Sequence, residues 1–214
     1  KERAETGRIY IMNIDHCNSH SSFKDKVNMS NLCQEITLPT KPIQHIDDPE
    51  GEIALCILSA INVGTLKDVS ELENLCDISV RALDEIIDYQ DYPVKAAEVS
   101  TKARRSLGIG YIGLAHYLAK NGVKYSDPEA WTLVDRLSEA FQYYLLRASC
   151  DIAEEKGKCT GFERTKYADG LLPIDHYKKD VDKIVPHKQR MAWESLRDRK
   201  STRLNSSHRC ISYA

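Results

Sequence analysis

Residues 31–35 read Asn31-Leu32-Cys33-Gln34-Glu35, and three of these side chains can do chemistry together. Side chains alternate along an extended chain, so Asn31, Cys33 and Glu35 are expected on one side, with Leu32 and Gln34 on the other. A thiol can donate a hydrogen atom or attack as thiolate. A carboxylate nearby can take a proton, and an amide can orient a hydroxyl. The same spacing also suits a buried structural cysteine beside two surface polar residues, because free cysteine commonly behaves as a small hydrophobe.

Gly108-Ile109-Gly110-Tyr111-Ile112-Gly113 matches G-x-G-x-x-G and precedes a helical segment. A dinucleotide fingerprint follows a strand, whereas Thr101-Lys102-Ala103-Arg104-Arg105-Ser106 does not read as one. The glycines are therefore expected to serve tight turns and close helix packing, and Asp127, near the distance of a ribose partner, to cap a helix. His16, Cys17 and His20 are candidate metal ligands in a polar loop, but no second cluster lies at zinc spacing and no metal is expected. The Lys/Arg runs at 102–105 and 178–179 are expected to be solvated faces.

The elements that must position these groups follow from periodicity. Residues 8–14 are β-prone and predict a strand. Residues 31–38 end at Pro39 and predict an extended loop or short strand. The most apolar run, residues 52–63, is closed by Gly64 and predicts a strand buried on both faces. Ser70 and Glu73 form a capping box for a helix with Leu72, Leu75, Ile78, Leu83, Ile86 and Ile87 at helical spacing. A second helix is predicted over residues 112–120. A third starts at Asp127 and Pro128, carries Trp131, Val134, Phe141, Tyr144, Leu145, Ala148 and Ile152, and stops at Gly157. Strands with intervening helices give an α/β fold.

Bulk properties narrow the function. The 214 residues contain 42% hydrophobic and 29% charged residues, a globular composition rather than a disordered one. A net charge of -2 supplies no field toward nucleic acid or an acidic membrane surface. The longest apolar stretch is too short to span a bilayer, so neither nucleic acid nor membrane is an expected partner. Seven cysteines at irregular spacings, without C-x-x-C, read as reduced thiols in a cytosolic setting. The chain opens on charged residues without Met, as an internal piece would.

Taken in order, several segments resemble one family. They are Asn31-Leu32-Cys33-Gln34-Glu35-Ile36-Thr37-Leu38-Pro39-Thr40, Gly51-Glu52-Ile53-Ala54-Leu55-Cys56, Asp88-Tyr89-Gln90-Asp91-Tyr92-Pro93, Arg104-Arg105-Ser106-Leu107-Gly108-Ile109-Gly110 and Leu172-Pro173-Ile174-Asp175. Over residues 2–199 the chain is similar to the catalytic domain of class I ribonucleotide reductase large subunits. The resemblance implies part of a ten-stranded α/β barrel, incomplete in this chain, with a finger loop carrying the radical cysteine. Residues 1–200 would be the partial barrel. Residues 201–214, polar and without period, resemble a translated cloning adapter and are set apart as a non-native or disordered tail.

By resemblance, Cys33 is the thiyl radical that removes the 3′ hydrogen of a ribonucleoside diphosphate. Glu35 is the base on the 3′ hydroxyl, Asn31 hydrogen-bonds substrate, and Cys56 is one of two thiols that become a disulfide. The resemblance further implies a cytoplasmic homodimer, a metal-containing small subunit that supplies the radical, nucleotide effectors, and thioredoxin or glutaredoxin as reductant. No cofactor is expected within this chain. The other reducing cysteine, the effector site, the relay tyrosines and the carboxy-terminal cysteines are expected outside it, and Tyr143-Tyr144 are not assigned the relay role. Two rival readings rest on the residues alone. One is a dinucleotide-binding oxidoreductase domain built on Gly108, Gly110 and Gly113. The other is a non-catalytic α/β interaction module in which Cys33 is merely buried.

Overall fold

The computed structural model describes residues 1–176, 189–203 and 208–209. The apolar run before Gly64 supplies β1 (Ile57–Asn62), and residues 107–112 supply β2 (Leu107–Ile112), which pairs with it in parallel from Ile57↔Leu107 to Asn62↔Ile112. A parallel pair needs a crossover connection. Here it is made by α3 (Leu72–Tyr89) and α4 (Lys95–Arg104). Beyond β2 come α5 (Leu114–Lys120), α6 (Pro128–Lys156) and α7 (Trp193–Arg203). A short β3 (His208–Arg209) then pairs in parallel with the start of β2. Two short helices, α1 (Glu2–Thr6) and α2 (Ile14–His20), precede the sheet. The sheet is open, a partial parallel layer with helices on one face, in keeping with part of an α/β barrel.

Helix boundaries follow local chemistry. Asp68 accepts from Ser70 N–H at 2.8 Å, and Glu71 accepts from Lys67 N–H at 3.4 Å. The cap thus sits two residues before the predicted Ser70/Glu73 pair and opens a short 3-10 turn that feeds α3. The buried stripe of α3 is Leu72, Cys76, Val80, Leu83 and Ile87. Ile78 and Ile86, counted in the predicted stripe, are exposed instead, because steps of four, four, three and four residues keep one line facing α6 and the sheet. Pro128 at the first turn of α6 and Gly157 beyond its last stand where predicted.

α6 separates two cores. On one side Phe141, Leu145, Ala148 and Ile152 meet α3, Leu107 and Ile109. On the other, Tyr143, Leu146 and Cys150 meet Phe162, Tyr167, Leu172 and Trp193. Trp193 is 2% exposed, a burial of roughly 4–6 kcal/mol before entropy is counted. Its indole N–H donates to Glu139 at 3.0 Å, and the same oxygen accepts Arg190 N–H and Met191 N–H. A buried carboxylate on α6 therefore anchors the start of α7.

Several expectations are corrected. Residues 8–13 form no strand, and Ile14 begins α2. A β-prone segment needs an edge to pair with, and among the described residues this one meets none, leaving Ile9, Tyr10 and Ile11 exposed. α2 is held instead by Lys166, whose ammonium caps Asn18 and Ser19 carbonyls. β1 is buried on one face only. Ile57 and Ile61 face the helices, while Leu58, Ala60 and Asn62 look outward. Gly108–Gly113 is not a turn: Gly108 and Gly110 lie within β2, opposite Leu58 and Ala60, and only Gly113 turns, at φ 80°. Arg104 and Arg105 are not solvated, as described below, and 178–179 lie outside the described residues.

Two outcomes follow. Gly113→Ala should destabilise the full-length parent by about 2 kcal/mol or more, because a Cβ there would overlap Asn62 Oδ1 and press on Gly64 in a left-handed backbone. Gly122→Ala, at φ 71° with open space around it, should cost about 1 kcal/mol. Equal effects in denaturant melts would contradict this packing. The isolated chain, with Leu58 54% and Ile112 56% exposed on the open sheet face, should self-associate and unfold with weak cooperativity, as sedimentation and urea titration would register.

Candidate active site

The segment expected to run straight reverses direction instead. Gln34 adopts a left-handed backbone at φ 63°, and its N–H donates to Asn31 O at 3.1 Å. Asn31 Oδ1 accepts from Ile36 N–H at 3.0 Å, and Asn31 N–H reaches Ile36 O at 3.4 Å. These bonds close a finger whose tip is Leu32, 84% exposed, and Cys33, an exposed free thiol. Strict alternation is thus overridden by a tight turn. Asn31, Cys33 and Glu35 do share one finger, with Asn31 as its brace. Glu35 lies below the tip, half-buried, and its Oε2 is shut from solvent with no hydrogen-bond partner among the described residues. An unpaired buried carboxylate oxygen is costly and uncommon. Cys56 stands on a different segment, half-buried immediately before β1, with its Sγ 4.0 Å from Ile57 O.

The finger is rooted at both ends in one buried charge cluster. Upstream, Asp25 accepts from Arg104 at 2.9 Å and pairs with Arg164 at 2.7 Å. Val27 is fully buried, and its N–H and C=O are both held by the Asn18 amide. Downstream, Lys41 and Glu52 exchange backbone hydrogen bonds at 3.0 and 3.2 Å, and Lys41 Nζ meets Glu52 Oε1 at 2.9 Å. Glu52 also receives Arg104 Nε at 3.0 Å, a second guanidinium nitrogen of Arg104, and Arg164 at 3.0 Å. Arg104 and Glu52 are 2% and 5% exposed. Burial alone would raise the Glu52 carboxyl. The hydrogen bonds from Arg104, Lys41 and Arg164 outweigh it and hold the group at about 2.

Gly51 permits this geometry, because a Cβ there would run into Ile43. A cleft of about 540 Å³ opens beside the finger, lined by Met29, Asn31, Ile36, Leu38, Ile43 and Ile53 among others. Sequence reasoning passed over Glu52 and Arg104. A lone carboxylate at the start of the most apolar run was the available signal, since an unpaired charge buried there would be too costly to keep.

Other candidates have different roles. Arg105, in a left-handed backbone, turns away from Arg104 and pairs with Asp84 at 2.6 Å and Asp88 at 2.9 Å on α3. Burial pushes the Cys76 thiol up to about 12 and Cys159 to about 11, which makes both poor nucleophiles. Tyr143 and Tyr144 lie on α6 with ring centroids 5.7 Å apart, and Tyr143 also meets Trp193. His16 and His20 lie edge to face on α2. Among the described residues no group of three or more His, Cys, Asp or Glu could hold a metal, and no helix is long and apolar enough to cross a membrane. The first two glycines of the G-x-G-x-x-G match, Gly108 and Gly110, sit within a strand, not in the turn a dinucleotide fingerprint needs.

Comparison with known proteins adds a family. The family model described as ribonucleotide reductase, barrel domain, matches residues 1–207. The chain is 59% identical over 200 residues to the ribonucleoside-diphosphate reductase subunit alpha of Haemophilus influenzae, covering 92% of this chain and 26% of that protein. It is 56% identical over 200 residues to the subunit alpha of Buchnera aphidicola subsp. Schizaphis graminum, with the same coverage of 92% and 26%. To the ribonucleoside-diphosphate reductase 1 subunit alpha of Escherichia coli it is 53% identical over 201 residues, again 92% of this chain and 26% of the relative. The chain thus spans about a quarter of the length of the curated relatives it matches.

The clustered carboxylate makes stability pH-dependent. The folded value of Glu52, about 2, lies below the ordinary 4.5, so the ionised group favours the folded state above about pH 4.5. That contribution, of order 3 kcal/mol, should be lost as pH falls from about 4.5 toward 2. Acid unfolding of the full-length parent should be steeper across that window than in its Glu52→Gln variant; parallel curves would contradict it.

Proposed function

Since the chain belongs to the ribonucleotide reductase barrel-domain family, we propose that its full-length parent reduces ribonucleoside diphosphates to deoxyribonucleoside diphosphates by thiyl-radical chemistry, with this segment carrying the catalytic finger of a ten-stranded α/β barrel. The observation that carries the reading is the finger itself: an exposed thiol at its tip and, below it, a buried carboxylate oxygen without a partner among the described residues. Cys33, as a thiyl radical, takes the 3′ hydrogen of the ribose. Glu35 takes the 3′ hydroxyl proton, a transfer that requires the carboxylate within hydrogen-bond reach. Asn31 commits its oxygen to the turn, which leaves its Nδ2 to donate to substrate. Cys56 and a second thiol outside this chain give two electrons to the sugar and become a disulfide.

In this reading the radical reaches Cys33 from a metal-containing small subunit, so no metal resides in this segment. Nucleotide effectors bind elsewhere in a cytoplasmic homodimer, and thioredoxin or glutaredoxin restores the thiols. Residues 1–200 are the barrel portion, and 201–214 are set apart from it.

The test uses the full-length protein with its radical partner and a substrate tritiated at the 3′ position. Cys33→Ser should lower turnover by about a thousandfold or more with the fold intact, because a hydroxyl holds its hydrogen too tightly to exchange it. Glu35→Gln should slow tritium release. Cys56→Ser should block reduction by the normal reductant yet still release tritium. Normal turnover by Cys33→Ser would refute the assignment.

A further inference from the structure

We infer that the Glu52–Arg104–Arg164 cluster is a positioning device that fixes the finger bearing Cys33 against the segment bearing Cys56. What Cys33 and Cys56 do rests on the reductase reading above; the placement itself rests on geometry. The finger leaves the body of the domain after Asp25 and returns at Lys41. The two roots end on one connected cluster: Asp25 on Arg104 and Arg164, Lys41 on the Glu52 carboxylate that those same arginines hold. Glu52 also opens the segment that runs to Cys56, and the next residue, Ile53, donates its N–H to Ala96 O on α4 at 3.2 Å. The position of Arg104 is itself fixed. It ends α4, its guanidinium lies 5.2 Å from the Phe23 ring centroid, and Gly161 N–H donates to the preceding Ala103 carbonyl at 2.8 Å.

Neither finger root can shift without breaking a charged hydrogen bond to this cluster. Such a shift would change where the Cys33 tip stands relative to Cys56. Hydrogen-atom transfer tolerates little displacement, and misplacement by about 1 Å can cost on the order of a hundredfold in rate. Glu52, Arg104 and Arg164 therefore act through the two cysteines without touching substrate.

The test again uses the full-length protein with its radical partner. Glu52→Gln weakens the pairing of a buried guanidinium and risks misfolding, so the informative variants are Asp25→Asn and Lys41→Met, each removing the charged contact of one root at a partly exposed residue. Each should lower kcat about tenfold to a hundredfold and leave KM within about twofold. Each should also speed iodoacetamide labelling of Cys33 in the reduced protein by roughly fivefold, as the finger opens locally. Lys41→Arg should restore both readouts. Lys24→Met, which cuts the neighbouring exposed Lys24–Asp169 pair, should change neither.

The inference is overturned if both root variants keep wild-type kcat and Cys33 labelling, or if Lys24→Met matches them. It is also overturned if kcat falls only in step with the melting temperature while labelling stays constant. Cys33→Ser run in parallel separates the two claims. If that variant is inactive while the root variants are normal, positioning alone fails. If it turns over normally, the reductase reading fails, and labelling at Cys33 in the root variants still reports on the finger.

Discussion

A buried guanidinium cannot be left unpaired, and that constraint organises the site end of this molecule. Removing Arg104 and Glu52 from water costs several kcal/mol per ion, and their attraction offsets this only with good geometry and further hydrogen bonds. Arg104 obtains them from Glu52 and Asp25, and Glu52 from Arg104, Arg164 and Lys41. The groups come from stretches far apart in the chain: the approach to the finger, the return from it, the end of α4 and the turn at 161–165. Satisfying the charges therefore brings these stretches to one point. A hydrophobic contact tolerates sliding, whereas a set of directed, charge-assisted bonds does not.

The adjacent arginine shows how local backbone geometry partitions such constraints. Arg105 sits at φ 47° and ψ 49°, so its side chain leaves in a different direction from that of Arg104. It reaches Asp84 and Asp88 on α3, where Lys156 from the end of α6 also meets Asp84 and Glu85. One arginine secures the finger roots, and its neighbour secures the helical layer behind the sheet. β2 begins two residues later, so the strand is held from both sides at its origin.

The sheet has unequal faces. Ile57, Ile61, Leu107 and Ile109 meet the helices, while the opposite face carries Leu58, Ala60 and Asn62 beside Gly108, Gly110 and Ile112. Parallel sheets are ordinarily covered on both faces. A one-sided parallel layer is what a section of an α/β barrel looks like when taken by itself, and the match to a barrel-domain family over residues 1–207 fits that form. Small residues at Ala60, Gly108 and Gly110 keep that face low.

The signals legible in the sequence were those that act within a few residues. Pro128 and Gly157 bound α6, and Asp127 closes the turn before it by accepting from Lys124 N–H, because turn residues work through the local backbone. The apolar run before Gly64 became β1, and the linked motifs from Asn31 to Asp175 carried the family. What depended on a distant partner was not legible. The alternation of Asn31, Cys33 and Glu35 gave way to a left-handed Gln34, because the finger is closed by bonds between its two sides. Residues 8–13 had strand propensity but, among the described residues, no edge to join. Arg104 looked like part of a solvated basic run until Glu52, Asp25 and Arg164 surrounded it. Periodicity and capping are properties of the local chain. Burial of a charge and pairing of a strand are decided by whatever the rest of the fold brings beside them.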